Sequence, residues 1–566
     1  MASSKATPGI LYVTMQPKEA LPEARFHDWY NNEHGPGRLR LSFCKNGFRY
    51  HAADLGYAKG SQEKPEWMAI YDIEDMNYLT QDVYTRLRKA PVQSQRERDT
   101  MKDIHVDRRF YDFLGDEWSG GDYKTLEKVE NEGEGNVMVA VYLTLQSGSA
   151  EEEKSREEEL AKWYKEEHVP LLQKVPGWRR TRRFVTSSLD IAEGREKVFL
   201  SLHEYAPKNG LGGEEFKRAT GTEWNDRIYK DVVASKRRRV YDLYYTFGPA
   251  PRDLKSLSSP DAIEAESTDG ATKTHPHSTG PVIESFITTS DGVILPYHLT
   301  GSTSPDAPLL ILINSILVSH EIWADFTSSF LALSKNKYRV IRYNTRGRSS
   351  LPESAKQPVT VHMLAEDVVT IMDALRVKSA SVVGVSLGGA TALNTALRYP
   401  NRVDAFVACD TNSLAPPGNP KAWGERIEMA EKEGAVSSSS SEPIVGEELA
   451  EATVRRWFVK ESYDDPELSK KIATVKEMVQ TNSLPGFKDS VKALYKYDFR
   501  EQMKEFKGKG AFLVGAGDGV LPKTMKEMAE GLGKGAELKI VDGAGHLPMV
   551  EKPEEVAKFV AKFLES

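Results

Sequence analysis

Cysteine is nearly absent from this chain of 566 residues, which contains only Cys44 and Cys409. Two cysteines cannot build a disulfide framework, so we expect a protein of a reducing compartment, with the cytoplasm as its location. The sequence also has no apolar run long enough to cross a bilayer and no basic stripe interleaved with aromatic residues, and its formal net charge is −7. We therefore expect neither a membrane nor a nucleic acid as a partner.

Apolar patterning is missing from residues 249–280, where Ser, Thr, Pro, Gly and charged residues predominate. A segment of this composition cannot bury a core, so the sequence predicts a flexible linker there. The linker separates an N-terminal part, residues 1–248, from a C-terminal part, residues 281–566. We expect the two parts to fold independently.

The N-terminal part repeats itself. An apolar segment leads to the motif W-Y-x-x-E-H-x-P twice, at residues 29–36 and again at residues 163–170. Similar endings follow each motif, which predicts two copies of one unit, at 1–125 and 126–248. Each copy resembles the EthD-like branch of the dimeric α+β barrel superfamily. The resemblance implies an α+β duplicated ferredoxin-like barrel, formed here by one chain.

Two roles are open for the repeated motif. Its glutamate and histidine could form an acid–base pair in the cleft of each half-barrel. Alternatively, its tryptophan packs the helix on the sheet, its glutamate and histidine cap the helix end, and its proline stops the helix. We favour the structural role, because repetition records a duplication and not its use. The residues concerned are Trp29, Glu33, His34 and Pro36 in the first copy and Trp163, Glu167, His168 and Pro170 in the second.

The C-terminal part contains Ser386 within G-x-S-x-G, residues 384–388, directly after the apolar run 380–383 and before a helical pattern. A serine at the tip of a tight strand-to-helix turn leaves no room for side chains two residues before or after it. The motif in this context predicts that Ser386 is a catalytic nucleophile.

Two further groups complete the predicted triad. Asp518 and His546 each follow a predicted buried strand, at residues 511–514 and 538–541. The order serine, aspartate, histidine is that of α/β-hydrolases and differs from the orders of chymotrypsin and subtilisin. Asp410, after another predicted strand, is the alternative acid.

Acyl transfer also requires donors for the oxyanion. The backbone N–H of Leu387, the residue after the nucleophile, is one expected donor. The second is expected from the loop after the strand at 309–313, and we assign it to the N–H of Ile316.

Residues 282–566 resemble the 3-oxoadipate enol-lactonase group of the α/β-hydrolase family. The similarity extends beyond the triad to Asn314-Ser315, Trp323, residues 339–347, 364–367 and 423–427, and Arg456-Trp457-Phe458. Asn344 departs from the group, which usually has aspartate at that position. The resemblance implies an α/β-hydrolase domain with a helical lid.

The lid is expected at about residues 416–500, where short helical patterns interrupt the sheet pattern. An apolar wall over the serine is expected from Trp423, Trp457 and Phe487. Arg426 or Arg456 is a candidate to bind a substrate carboxylate, because the planar guanidinium suits bidentate pairing. Alternatively, both arginines are simply solvated.

Together these features predict a serine hydrolase that opens a small lactone or ester through an acyl-enzyme. The chemistry requires no metal and no organic cofactor; the expected partner is the small substrate, and a homodimer is left open. In the alternative hypothesis, the N-terminal barrel is an isomerase, cyclase or dehydratase acting on an aromatic or polyketide-derived compound. The hydrolase part would then be auxiliary or would act in sequence with the barrel.

Overall fold

The structure is a computed structural model that describes residues 6–56, 58–118, 135–267, 270–276, 280–355 and 357–566. The contacts divide the chain into two compact units. The first consists of Met1–Pro251 with Glu266–Gly270, and the second of Arg252–Ala265 with Ala271–Ser566. Within the described ranges, no helix is both long and apolar enough to span a bilayer.

The first unit is a closed barrel of eight strands. The strands are β1 (Gly9–Pro17), β2 (Cys44–Ala52), β3 (Trp67–Ile73), β4 (Ile104–Trp118), β5 (Val137–Leu145), β6 (Trp178–Thr186), β7 (Phe199–Tyr205) and β8 (Val233–Thr246). Around the barrel they run β1-β3-β2-β8-β5-β7-β6-β4. The order β4-β1-β3-β2 in one half therefore matches β8-β5-β7-β6 in the other. The predicted boundary between the copies, at residues 125 and 126, lies outside the described residues.

Helices accompany each half of the barrel. They are α1 (Glu23–Trp29), α2 (Gly35–Leu39), α3 (Asp82–Thr85) and α4 (Gln95–Lys102), then α5 (Ala150–Trp163), α6 (Val169–Leu172), α7 (Ser188–Ala192), α8 (Glu214–Thr220) and α9 (Glu223–Arg227). Successive side chains of a strand point to opposite faces. In β1, accordingly, Leu11 and Val13 pack in one core with Trp29 of α1, whereas Ile10 and Tyr12 join a second core.

The prolines of the repeated motif do not stop the helix, so that prediction is wrong. Each motif passes through one π-helical turn, at Tyr30–His34 and Tyr164–His168, and then enters α2 or α6 with proline in the first turn. The π turn directly precedes each proline: the N–H groups of Gly35 and Val169 donate to the carbonyls of Tyr30 and Tyr164, five residues back, and the helix continues past the proline. The packing role predicted for the tryptophans agrees with the structure, because both are buried in apolar clusters.

The segment at residues 249–280, predicted as a linker, contains more order than its composition indicates. It includes α10 (Leu254–Leu257), β9 (Ala265–Glu266) and β10 (Lys273–His275). Strand β10 pairs antiparallel with β11 (Val282–Thr288), so the prediction of a flexible linker throughout 249–280 is wrong at these residues. Backbone pairing needs no apolar side chains, and the Thr272 hydroxyl lies 2.7 Å from that of Ser285. Composition alone therefore missed this strand.

The second unit is built on a large mixed sheet. Its further strands are β12 (Ile294–Gly301), β13 (Leu309–Ile313), β14 (Arg339–Tyr343), β15 (Ala380–Val385), β16 (Val403–Cys409), β17 (Lys509–Gly515) and β18 (Glu537–Val541). From β18 the order is β18-β17-β16-β15-β13-β14-β12-β11-β10. Pairing is parallel from β18 through β14 and antiparallel beyond it. Strands β13 and β15 are buried along their whole length, as expected for central parallel strands.

Helices of this unit follow the strands or form the lid region. The former are α11 (Ala324–Leu333), α12 (Val361–Ala374), α13 (Leu387–Arg398), α19 (Leu521–Glu530), α20 (Pro548–Glu551) and α21 (Pro553–Glu565). Between β16 and β17 the chain forms α14 (Asn419–Glu433), α15 (Glu447–Trp457), α16 (Pro466–Gln480), α17 (Leu484–Ser490) and α18 (Arg500–Lys504). The segment predicted as a lid is therefore helical.

Candidate active site

Ser386 forms the turn between β15 and α13 in a conformation that few side chains adopt, with φ 60° and ψ −118°. Its neighbours explain how the turn closes. A Cβ atom added to Gly384 would lie 2.0 Å from the carbonyl oxygen of Gly388, and one added to Gly388 would lie 2.3 Å from that of Ile313. Only glycine permits these approaches. The turn therefore exposes the serine at the carboxyl end of a central strand.

We expect Gly388→Ala to destabilise the second unit by about 1–3 kcal/mol, because the backbone of β13 has no room to move away. Urea unfolding measures this change. Gly424→Ala is the matched control: it lies inside α14 with open space around its Cα, so we expect a gain of about 0.5–1 kcal/mol. Equal stability of parent and Gly388→Ala would contradict the steric argument.

The imidazole and its acid are held together beside the serine. His546 Nδ1 lies 2.7 Å from Asp518 Oδ2, a distance of a strong hydrogen bond. The backbone N–H of His546 donates to the backbone carbonyl of Trp457 at 2.7 Å, and the centroid of the Trp457 ring lies 5.5 Å from that of the imidazole. Ser386, Asp518 and His546 line one cavity of about 210 Å³. The structure thus brings the three predicted triad residues together.

Asp410, the alternative acid, lies in the same cavity. It is 1% exposed, its φ is 44°, and its Oδ1 accepts a hydrogen bond from the Gly515 N–H at 2.9 Å. Burial, together with the charge of Asp518, raises the pKa of Asp410 well above its usual range. The raised pKa favours the protonated form of Asp410, which can donate a hydrogen bond to Asp518, whereas Asp518 itself contacts the imidazole. The two carboxyl groups consequently play different roles.

Asp410, Asp518 and His546 offer ligand atoms within 4.8 Å of one another, which is a metal-type donor set among the described residues. Metal ligands must be deprotonated, whereas burial opposes the deprotonation of Asp410. The Nδ1 atom of His546 is also occupied by Asp518. The donor chemistry fits a pair of acids behind an imidazole better than a cation.

The two expected oxyanion donors lie on neighbouring elements. Leu387 is the first residue of α13, so its N–H has no acceptor within the helix. Among the described residues, the N–H of Ile316 has no hydrogen-bond acceptor. The Asn314 side-chain amide holds the loop by donating to the Ser315 and Val318 carbonyls, at 3.0 and 2.7 Å. Both N–H groups are thus available to an oxyanion.

Four of the five substrate-binding residues predicted from the sequence line the cavity with the triad: Trp423, Arg426, Arg456 and Trp457. The fifth, Phe487, does not line this cavity, so its predicted place in the wall is wrong. It is fully buried, and its ring centroid lies 6.0 Å from that of Trp423. Phe487 supports the wall because it packs against Trp423, a contact that sequence spacing does not reveal.

The two arginines bring positive charge to the cavity without an ion-pair partner of their own. The Arg426 guanidinium stacks 4.3 Å from the centroid of the Trp423 ring. Within the described part of the chain, no carboxylate forms an ion pair with Arg426 or Arg456. Arg456 remains exposed, yet partial loss of solvent and repulsion from Arg426 lower its pKa to about 10. With a pKa of about 10, Arg456 is charged at pH 7, so it could bind an anion beside the Arg426 guanidinium.

Glu551 is a site residue that the sequence reasoning missed. It is 4% exposed and accepts hydrogen bonds from the Gly545 N–H and the Ser462 hydroxyl, each at 2.6 Å, and from the Val459 N–H at 3.2 Å. Its carboxylate thus ties the loop that carries His546 to the lid region. The sequence signal for this role is that Glu551 follows His546 after four apolar residues, 547–550.

In the barrel unit, the motif glutamates fix helix caps. The Ser94 hydroxyl contacts Glu33, and the Thr222 hydroxyl donates to Glu167 at 2.6 Å. Ser94 and Thr222 are themselves the N-caps of α4 and α9. The predicted acid–base pairing of each glutamate with the adjacent histidine is therefore not observed. Both glutamates act at a helix end, as the structural role predicted. The helix is α4 or α9, however, and not the helix that carries the motif.

Comparison with known proteins concerns the C-terminal part. A family described as "alpha/beta hydrolase fold" matches residues 308–553. "3-oxoadipate enol-lactonase 1" and "3-oxoadipate enol-lactonase 2" of Acinetobacter baylyi (strain ATCC 33305 / BD413 / ADP1) are 28% and 27% identical; they align with 50% and 47% of this chain and with 97% and 91% of their own lengths. "Carboxylesterase YbfK" of Bacillus subtilis (strain 168) is 27% identical, over 47% of this chain and 83% of its own length. The C-terminal half of the chain has an α/β-hydrolase fold and has enol-lactonases among its homologues.

Proposed function

We propose that the second unit is a serine hydrolase that opens a small lactone or ester bearing a carboxylate. The observation that carries this proposal is the assembly of Ser386, His546 and Asp518 around one small cavity, with the serine on a strained turn. Folding alone does not require these three side chains to meet. Homology to proteins named enol-lactonase and carboxylesterase supports the same reaction class.

The reaction follows from the roles of these groups. His546 removes the proton of the Ser386 hydroxyl, whose oxygen attacks the substrate carbonyl carbon, while Asp518 stabilises the imidazolium. The N–H groups of Leu387 and Ile316 hold the oxyanion of the tetrahedral intermediate. The C–O bond then breaks, and His546 protonates the leaving oxygen. Water activated by His546 hydrolyses the acyl-enzyme, and an enol product would tautomerise to a ketone.

The substrate class follows from the charge and size of the cavity. A space of about 210 Å³ suits a small acyl group, and two arginines without ion-pair partners favour an anion. Planar guanidinium groups pair with carboxylates through two parallel hydrogen bonds. We infer that the carboxylate lies between Arg426 and Arg456, with the lactone carbonyl at Ser386.

The double variant Arg426→Gln/Arg456→Gln tests this inference. We expect its KM for 3-oxoadipate enol-lactone to rise about 10- to 100-fold, since hydrogen bonds to a charged group contribute about 1.5–3 kcal/mol. Its kcat/KM for the neutral ester p-nitrophenyl acetate should stay within about twofold of the parent.

The matched control is Arg455→Gln, because Arg455 pairs with Glu451 at 2.7 Å and does not line the cavity. It should change neither substrate's kinetics. Equal loss on both substrates in the double variant would show that the arginines support the lid and do not recognise a carboxylate.

For the first unit, we propose a fused pair of EthD-like, ferredoxin-like repeats. The doubled motif and the matching strand order of the two halves support this assignment. An isomerase, cyclase or dehydratase activity stays the second candidate function of the chain. The observation that favours it is a cavity in the first repeat whose lining includes His34, Arg38 and Glu97.

A further inference from the structure

The first repeat contains a cavity of about 380 Å³ between its sheet and helices. One wall is apolar, with Leu11 and Val13 of β1 and Trp29 of α1. Tyr30 and Tyr71 add hydroxyl groups, and the Tyr71 hydroxyl donates to that of Tyr30 at 3.2 Å. Cavities of this size and mixture bind small molecules in many proteins.

A charged cluster lies at the same cavity. His34 Nδ1 is 3.3 Å from Glu97 Oε1, and Arg38 Nη2 is 3.8 Å from the same oxygen. Burial lowers the pKa of His34 to about 4, so the imidazole is neutral. Burial opposes the ionisation of Glu97, but His34 and Arg38 outweigh it and lower the pKa of this carboxyl. Glu97 and Arg38 thus neutralise each other, and His34 contributes no charge.

Two more arginines line the cavity without such compensation. The Arg88 guanidinium lies 5.5 Å from the Tyr84 ring centroid, and that of Arg108 lies 5.0 Å from the Phe110 ring centroid. Across the described ranges, neither arginine forms an ion pair with a carboxylate, whereas Arg195 beside them pairs with Asp107 at 3.1 Å. The cavity therefore has an excess of positive charge next to an apolar wall.

The second repeat shows which of these groups the fold itself needs. Counting from the shared motif and from the shared helix N-cap, Arg38 corresponds to Leu172 and Glu97 to Asn225. His34 corresponds to His168, which stacks on Trp163 at 4.2 Å and lies 3.1 Å from the Ala219 carbonyl.

The second half of the barrel thus forms without the Arg–Glu pair, so the packing of a repeat does not account for these charges in the first. A buried ion pair such as Arg38–Glu97 is often no more stabilising than apolar residues of similar volume, so stability alone does not explain its presence.

We propose that the cavity of the first repeat is a binding site for a small carboxylate that carries an apolar ring or chain. Its carboxylate pairs with Arg88 and Arg108, and its apolar part packs on Trp29 and the β1 side chains. A polar group at the far end of the ligand hydrogen-bonds to His34, whose orientation Glu97 fixes. The site is independent of the hydrolase triad, since all of its residues belong to the first unit.

Isothermal titration calorimetry of the full chain with benzoate, phenylacetate and cinnamate tests the site, with benzyl alcohol as the neutral probe. All titrations use the Arg426→Gln/Arg456→Gln background, so that carboxylate binding at the second unit does not contribute. We expect at least one carboxylate to bind at least 10-fold more tightly than benzyl alcohol. Adding Arg88→Gln/Arg108→Gln should weaken that carboxylate at least 10-fold.

The matched control is Arg238→Gln in the second repeat. Arg238 pairs with Val141 in the register in which Arg108 pairs with Val13, so it occupies the equivalent position. It should leave affinity within about twofold. Circular dichroism checks that each variant folds. Absence of binding by all three carboxylates at about 10 mM, equal affinity for benzyl alcohol, or unchanged affinity in Arg88→Gln/Arg108→Gln would each overturn the proposal.

Discussion

Ser386→Ala is expected to lower kcat for a small lactone or activated ester by about 10⁴- to 10⁶-fold. The hydroxyl is the atom that attacks the carbonyl, and the residual rate would come from the oxyanion donors and substrate binding alone. Turnover of p-nitrophenyl acetate measures the loss. Labelling with a fluorophosphonate probe reports the activated serine without knowledge of the substrate, and the label should disappear in this variant.

Ser354→Ala provides the control for that experiment. Ser354 is an exposed serine of the same unit; its hydroxyl donates to the Asp291 carbonyl at 2.6 Å, and it does not line the cavity. Labelling and turnover should match the parent. Persistent labelling or near-normal turnover in Ser386→Ala would show that another residue is the nucleophile.

Asp518→Asn is expected to lower kcat by about 10³- to 10⁴-fold, because an amide cannot hold the imidazole in the required tautomer or stabilise the imidazolium. Asp410→Asn should cost less than about 10-fold. Asparagine has the shape of the acid: its amide oxygen can accept from the Gly515 N–H, and its NH₂ group can donate to Asp518. The pair of variants therefore distinguishes the two carboxyl groups.

The measurement is kcat/KM for p-nitrophenyl acetate between pH 5 and 9, in the parent and in both variants. Burial raises the pKa of Asp410, and Asp518, not Asp410, contacts His546 Nδ1, so Asp410→Asn should leave the acidic limb of the kcat/KM profile unchanged. A loss in Asp410→Asn as large as that in Asp518→Asn would instead assign the orienting role to Asp410.

The elements that the sequence determined by itself are those set by local geometry. The turn at Ser386 requires glycine at 384 and 388 because backbone atoms meet there, so the motif carries its own steric reason. Asp518 and His546 could be predicted because loops after parallel strands gather at one edge of the sheet. The repeated motif likewise revealed two similar halves, since a duplication is written directly in the residue order.

Tertiary structure decided what depends on contacts between distant segments. Composition does not predict that Lys273–His275 joins a sheet, because the strand forms through backbone hydrogen bonds to β11 and not through apolar side chains. Phe487 was predicted in the cavity wall, whereas in the structure it packs behind the wall against Trp423. The motif suggested that Glu33 pairs with the adjacent His34. In the structure, Glu33 contacts Ser94, the N-cap of α4, whereas His34 faces Glu97. Sequence neighbours on a helix point in different directions, so only the folded chain selects their partners.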